Sequence, residues 1–416
     1  MLLLFLLLIT TSAYAVPANS MKVYTLKQPD GTTFKATQHG DEYSHWIRTV
    51  NGGHIVAYNT ATKTWYFAKV SDGVASPTSV VYRDGATPPA NAATKVTPRR
   101  VSYRLTGSSA TTKAAAAAKR WTPSSTPLAG TKNMLVIRVT FEDTRNVAND
   151  ILSVDIGVHK QKIWTDKYSV KQYYKDQSKG NISIEPASSD YTVININLTS
   201  TDLGVINSGD HPDRLIDIHA KDWQASAKNE ATFVKSVLYK LQKEHPDFSF
   251  KKFAGEDDKI TPNELVVYLL VAGYEEANAA GRFPAVWAHA SGSNYSSDDL
   301  VVYTSTDKTL SLSDWAMQGE LATDNNGGVY SMPTTGTMCH ELGHQICRLP
   351  DLYDTSYYNS GVGMFSLMAG GTDGAVSGDN GGSRPCNLDA WSRYYLGWET
   401  PTVIDGTYKS DKLTIP

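Results

Sequence analysis

Two imidazoles and a carboxylate fall within five residues, His340-Glu341-Leu342-Gly343-His344. On a helix, positions i and i+4 lie one turn apart on one face, so both rings can bind one metal ion. Glu341, beside the first imidazole, can take a proton from a water on that metal. Two imidazoles and a third protein ligand leave one zinc position open, the layout of a catalytic rather than a structural site. The pentapeptide alone is moderate evidence. A random chain of this length carries it in about one case in a hundred, and an amphipathic helix with two histidines has the same letters.

Residues 345 to 371 strengthen the reading. A third ligand has to come back beneath the metal, so the helix must stop soon after His344. Pro350 cannot continue a helix and pushes Leu349 away from helical angles. Asp351 comes next and is the first choice for the third ligand. The alternatives are Asp354 or a more distant Glu, with Asp351 only capping a turn. Further on, Gly363-Met364-Phe365-Ser366-Leu367-Met368-Ala369-Gly370-Gly371 sets a methionine before small residues. In the metzincin group such a turn lies under the metal, where a thioether gives an adaptable apolar floor. Met368 is the expected floor.

With "HELGHQICRLPDLYD", "GVGMFSLMAGG" and "LDAWSRYYLGW" quoted together, the chain resembles the immune inhibitor A family of secreted metallopeptidases. "SVKQYYKDQSKGNISIEPA", "NELVVYLLVAGYE", "AMQGEL" and the early "GDEY" carry the same resemblance, which spans about residues 25 to 400. It implies a zinc endopeptidase made as a zymogen. One position departs. The family tends to have a left-handed Gly before Leu-Pro-Asp, and this chain has Arg348. A non-Gly residue in that conformation costs about 1 kcal/mol or more, unless the turn is built differently.

Composition bounds the rest. With 416 residues the chain can hold one large and one smaller domain. A formal net charge of −3 and 19% charged residues offer no field for nucleic acid, and no nucleic-acid motif occurs. Residues 1–15 are a short apolar run ending in Ala13-Tyr14-Ala15, a small-x-small cleavage pattern, although the basic start of a signal is missing. The expectation is a cleaved signal peptide and a secreted, extracellular protein with no stable membrane insertion. The odd cysteine count leaves a bridge from Cys339 or Cys347 to Cys386 open, with one thiol over. The two on the metal helix lie about 12 Å apart along it and cannot bridge each other.

Along the chain, residues 16–105 read as short strands with a hairpin signal at Asn51-Gly52-Gly53, a small β-rich N-terminal pro-domain. Residues 106–131 turn to Ser, Thr, Ala, Gly and Pro and read as a linker. Lys119-Arg120 within it, and Arg99-Arg100 just before it, are basic pairs open to cleavage. Residues 132–400 alternate strands and helices around "LVVYLLVAGYE", the expected central strand. Residues 213–244 carry a helical pattern. The fold class is mixed α/β (α+β), a zincin or metzincin-like catalytic domain. Residues 401–416 start a C-terminal β segment.

Other stretches bear on function. Gly255 to Glu264 is acidic and turn-rich, so Ca2+ is a second cofactor expectation beside Zn2+, against a merely solvated loop. "AMQGEL" reads as an edge strand that could pair with an extended peptide. His289 reads as a structural or cleft-wall histidine. Asp41, directly after Gly40, is the candidate latency switch. A carboxylate oxygen can bind zinc at about 2.0–2.2 Å in place of water, and the family resemblance of "GDEY" implies the same. Glu42, or an ordinary polar turn, is the alternative. The expected function is therefore a secreted zinc-dependent endopeptidase acting on proteins or peptides. A silent zinc-fold binding or adhesion protein, or a zinc hydrolase of another bond, is the alternative. Nothing in the sequence sets an oligomeric state.

Overall fold

The computed structural model describes residues 13–41, 44–59, 61–97, 126–141, 155–190, 192–199, 227–255, 258–279, 285–291, 300–304, 309–323, 329–331, 335–354, 359–377 and 379–401. The first strand is β1 (Ala13–Ala15). Six more come after it: β2 (Val23–Lys27), β3 (Thr33–Gly40), β4 (His45–Thr49), β5 (Ile55–Asn59), β6 (Thr64–Ser71) and β7 (Val74–Val81). These six pair in sequence order as an antiparallel sheet. Burial alternates along β2 and the start of β3, as a half-covered sheet requires. The covered face gathers Leu26, Phe34, Val56, Trp65, Phe67 and Tyr82 into its own core. Asn51-Gly52-Gly53 turns β4 into β5, and both glycines have positive φ, 74° and 64°, which matches the strand twist.

The rest of the described chain is mixed α/β. Its strands are β8 (Gly130–Phe141), β9 (Ile182–Pro186), β10 (Ile194–Leu198), β11 (Lys259–Ile260), β12 (Val266–Glu275), β13 (Ala285–Val286), β14 (His289–Ser291), β15 (Leu300–Thr304), β16 (Thr309–Leu312), β17 (Trp315–Thr323) and β18 (Val329–Ser331). Its helices are α1 (Ile156–Lys160), α2 (Val170–Gln177), α3 (Ala227–Glu244), α4 (Glu276–Ala279), α5 (Thr335–Gln345) and α6 (Ala390–Tyr395). The main sheet runs β1-β14-β17-β12-β8-β10. β12 is parallel to both β8 and β17, whereas β14 is antiparallel to β17 and β1 antiparallel to β14. All ten residues of β12 are buried, because helices cover both faces of its sheet. Leu135, Ile137 and Val139 of β8 face Phe233, Val237 and Leu241 of α3. Met134 and Val136 point the other way, into the core that holds Met338, Cys339 and Leu342 of α5. Burying side chains such as Met338 and Leu342 stabilises by about 1.5–3 kcal/mol each. That burial fixes α5 against the sheet.

Several expectations are refined here. "AMQGEL" lies in β17, which is flanked by β12 and β14, so it is not an edge; β14 is the strand on which β1 sits. Residues 126–129 are no loose linker. Leu128 donates its N–H to Leu396 O at 3.0 Å, and Trp398 Nε1 donates to Leu128 O at 2.7 Å. α3 begins at Ala227 among the described residues. Residues 1–12, 98–125 and 402–416 lie outside them, and with them Lys119-Arg120 and the C-terminal segment. Among the described residues, no helix is long and apolar enough to cross a membrane.

The N-terminal region is bonded to the α/β part of the chain. Gln38 Nε2 donates to Glu276 O at 2.6 Å, and Asn19 Nδ2 to Asp373 Oδ2 at 2.8 Å. His45 Nε2 lies 3.2 Å from Glu276 Oε1, and its ring centroid 4.9 Å from that of Trp287. Burial would lower the His45 pKa, but Glu276 beside it holds it above the ordinary value.

Candidate metal centre

Every residue of α5 is buried, so His340 and His344 are packed rather than solvated. Each ring is fixed by its far nitrogen. His340 Nδ1 lies 2.8 Å from Leu367 O, and His344 Nδ1 2.7 Å from Leu349 O. A carbonyl only accepts, so both Nδ1 atoms carry hydrogen and the Nε2 lone pairs face inward. Those Nε2 atoms are 2.9 Å apart, and Asp351 Oδ1 lies 3.1 and 3.2 Å from them. Burial lowers the His344 pKa. For Asp351 burial works upward, yet His344 and His340 hold the carboxyl below its usual range. Two Nε2 atoms and one carboxylate oxygen thus converge on one point. Such a group of three could hold a metal ion. Ligands at zinc's bond lengths around a tetrahedral ion are about 3.3 Å apart, so the donors need open only slightly. Among the described residues, His340, His344 and Asp351 are the only such group of three.

The stretches that carry the family resemblance converge on this helix. Tyr174 of α2 donates its hydroxyl to Cys339 O at 2.5 Å, and Tyr173 to Cys386 O at 2.7 Å. Asp389 caps α6 by accepting from Ser392 N, and also accepts from Ser366 Oγ at 2.8 Å. Ser366 Oγ in turn accepts from Met368 N at 3.1 Å. Met368 is fully buried beneath α5. A Cβ built on Gly343 would lie 2.6 Å from Met368 Sδ and 3.2 Å from its Cε. Glycine between the histidines is thus what lets the thioether come up under the helix. Gly343→Ala should cost about 1–3 kcal/mol by overpacking. Chemical denaturation reads this, and an unchanged unfolding midpoint would mean that Met368 gives way freely.

The turn after the helix is held at both ends. Arg348 N donates to His344 O and Leu349 N to Gly343 O, each at 3.1 Å, and Leu352 N donates to Met368 O at 2.7 Å. Arg348 keeps the left-handed conformation, with φ 55°, so the turn is the glycine-type turn with arginine in it. Asp354 is elsewhere occupied: its Oδ2 accepts from Asn359 N and Nδ2 at 3.2 and 3.0 Å.

Glu341 comes directly after His340 and is fully buried. Tyr268 of β12, whose pKa is pushed well up by burial and by Glu341, donates to Gln318 Oε1 at 2.6 Å. Glu320, on the same face of β17, accepts from Arg138 at 2.6 and 2.8 Å and meets His159 Nε2 at 3.3 Å. Sequence reading missed this polar group under the helix. Its signal was the two-residue spacing of Gln318 and Glu320 in "AMQGEL".

Other expected sites fall apart from the donor group. Asp41 is buried after Gly40, whose φ is 104°, and its Oδ1 accepts from Ser44 N at 3.0 Å. Glu42 lies outside the described residues. His289 Nδ1 bonds Trp287 O at 2.8 Å. The calcium expectation finds no support. Glu256 and Asp257 lie outside the described residues. Glu264 turns onto Thr261 instead, accepting from its N at 2.9 Å and its Oγ1 at 2.5 Å, as in a capping box. The three cysteines are free thiols, and Cys386 Sγ donates to Met364 O at 2.9 Å.

Comparison with curated proteins returned no significant match. The family model described as "Immune inhibitor A peptidase M6, catalytic domain" matches residues 157–400, more than half of the chain and all of the helix, turn and methionine loop just described. The chain therefore belongs to the immune inhibitor A family of M6 metallopeptidases.

Proposed function

We propose that the chain is a secreted zinc endopeptidase of metzincin-like architecture, made as a zymogen. The observation that carries this reading is the pair of histidines whose Nδ1 atoms are tied to backbone carbonyls while both Nε2 atoms converge on Asp351. In this reading His340, His344 and Asp351 hold Zn2+ and Met368 floors the site. A bound zinc ion supplies Lewis-acid polarisation of the scissile carbonyl and lowers the pKa of a water to about 7. Glu341 would accept a proton from the attacking water as its oxygen adds to the carbonyl carbon, and would return that proton to the amine nitrogen as the C–N bond breaks. Burial of Glu341 keeps bulk water from competing for the proton. The substrate runs as an extended strand beside β14, where β1 lies antiparallel with Ala13 opposite Ser291. The test is zinc content together with casein cleavage by linker-processed protein. A processed chain that binds one zinc and cleaves nothing would defeat the peptidase reading.

In the same reading residues 1–15 are a signal peptide, 16–105 a pro-domain, 106–131 the processed linker, cut before residues 126–131, which pack onto the rest, and 132–400 the catalytic domain. Latency then resides in the N-terminal sheet, with Asp41 as the candidate zinc-blocking carboxylate. Displacing it onto the metal would require breaking its bond from Ser44 N. Asp41→Ala should raise the activity of the uncut form and leave the processed enzyme unchanged. If the uncut variant stays as silent as its parent, the block is steric or lies with another residue.

A further inference from the structure

Arg348 sits in a backbone conformation that favours glycine, at the point where the chain turns from the metal helix toward Asp351. The residues after it carry the centre. Leu349 O receives His344 Nδ1–H at 2.7 Å, and Asp351 brings its Oδ1 to both Nε2 atoms. A return of Arg348 to negative φ would swing both groups away. The backbone bonds from Arg348 N to His344 O and from Leu349 N to Gly343 O favour this turn, yet a side-chain-bearing residue still carries a steric cost at φ 55°.

Its side chain adds a second restraint against that cost. Arg348 Nη1 lies 2.5 Å from Asp314 Oδ1. Most exposed arginine pairs contribute little, since two solvated groups are merely exchanged. Here the arginine is exposed, but the carboxylate is 2% exposed and also accepts from Ser313 Oγ. A charge-assisted bond to a desolvated acceptor is the stronger kind. Asp314 immediately precedes β17, which is paired on both sides within the main sheet. The anchor is therefore rigid, and the bond reaches from it across to the turn.

We propose that the Asp314–Arg348 pair is a positioning clamp for the metal centre, holding a non-glycine residue in the left-handed turn and so placing Leu349 O and Asp351. This rests on the zinc reading above. The clamp touches neither metal nor substrate. It acts through the backbone of residues 348–351, in the manner of supporting interactions that orient metal ligands.

The deciding comparison is Arg348→Ala against Arg348→Gly in the full chain. Arg348 is exposed, so neither change threatens the core. Alanine keeps the unfavourable φ and loses the clamp; glycine loses the clamp but needs none. Zinc affinity, measured by competition with a chromogenic chelator, should fall about ten- to a hundredfold for Arg348→Ala. It should stay within about threefold of the parent for Arg348→Gly. The visible spectrum of the cobalt-loaded forms should change for alanine and not for glycine. Asp314→Asn should weaken zinc in the arginine background and have no effect added to Arg348→Gly. Equal affinities for Arg348→Ala and Arg348→Gly, or a loss from Asp314→Asn that persists with glycine at 348, would overturn the clamp. A parent chain that takes up no zinc fails the metal reading itself, which separates the two failures.

Discussion

Glu341→Ala is expected to keep its zinc and its fold and to lose about 10²- to 10⁴-fold in turnover, the range for removing a positioned proton acceptor. That is about 3–5 kcal/mol of barrier at about 1.36 kcal/mol per tenfold. The residue is fully buried in α5 next to His340 and lies outside the donor group. Its loss removes the base and no ligand. The measurement is kcat on a peptide substrate beside zinc content for the same preparation. Turnover near that of the parent, with zinc in place, would end the general-base mechanism.

Removing a ligand should act differently, on occupancy before rate. His340→Ala or His344→Ala deletes a donor and frees a backbone carbonyl, Leu367 O or Leu349 O, that the ring now satisfies. Both variants should emerge from dialysis without zinc and without activity. Asp351→Ala should bind zinc much more weakly, whereas Asp354→Ala should not, because the Asp354 carboxylate is held by Asn359. Metal analysis of the four proteins decides this. Parent-like zinc in Asp351→Ala, with loss in Asp354→Ala, would move the third ligand three residues along the chain.

The local part of this architecture could be read from residues alone. Spacing put two histidines on one helical face, and Asn51-Gly52-Gly53 marked a hairpin that the φ values explain, whereas the helix stops at Gln345 and turns at Arg348, short of Pro350. The unbroken apolar run of β12 identified the middle of the sheet. What escaped were pairings between distant segments. Whether "AMQGEL" is an edge depends on where residues 289–291 dock, and alternation along a strand says nothing about its neighbours. The cost of arginine at position 348 was visible in the sequence. Its offset by Asp314 was not, since an acidic residue 34 positions earlier has no local signature. The acidic stretch before β12 was misleading for a related reason: composition suggested ligands, while one carboxylate closes its own turn at Thr261.

Trp287 gives the junction of the two sheets an optical signature. Its ring is fully buried, it donates Nε1–H to Val16 O at 2.7 Å, and the His45 imidazole lies against it. Both of these partners come from the N-terminal region. If that region leaves, as the proposed zymogen requires, the indole loses its hydrogen-bond acceptor and its aromatic cover together and meets water. Its emission should then move to longer wavelength, so release of the N-terminal sheet can be timed by fluorescence in a protein that has yet to meet a substrate.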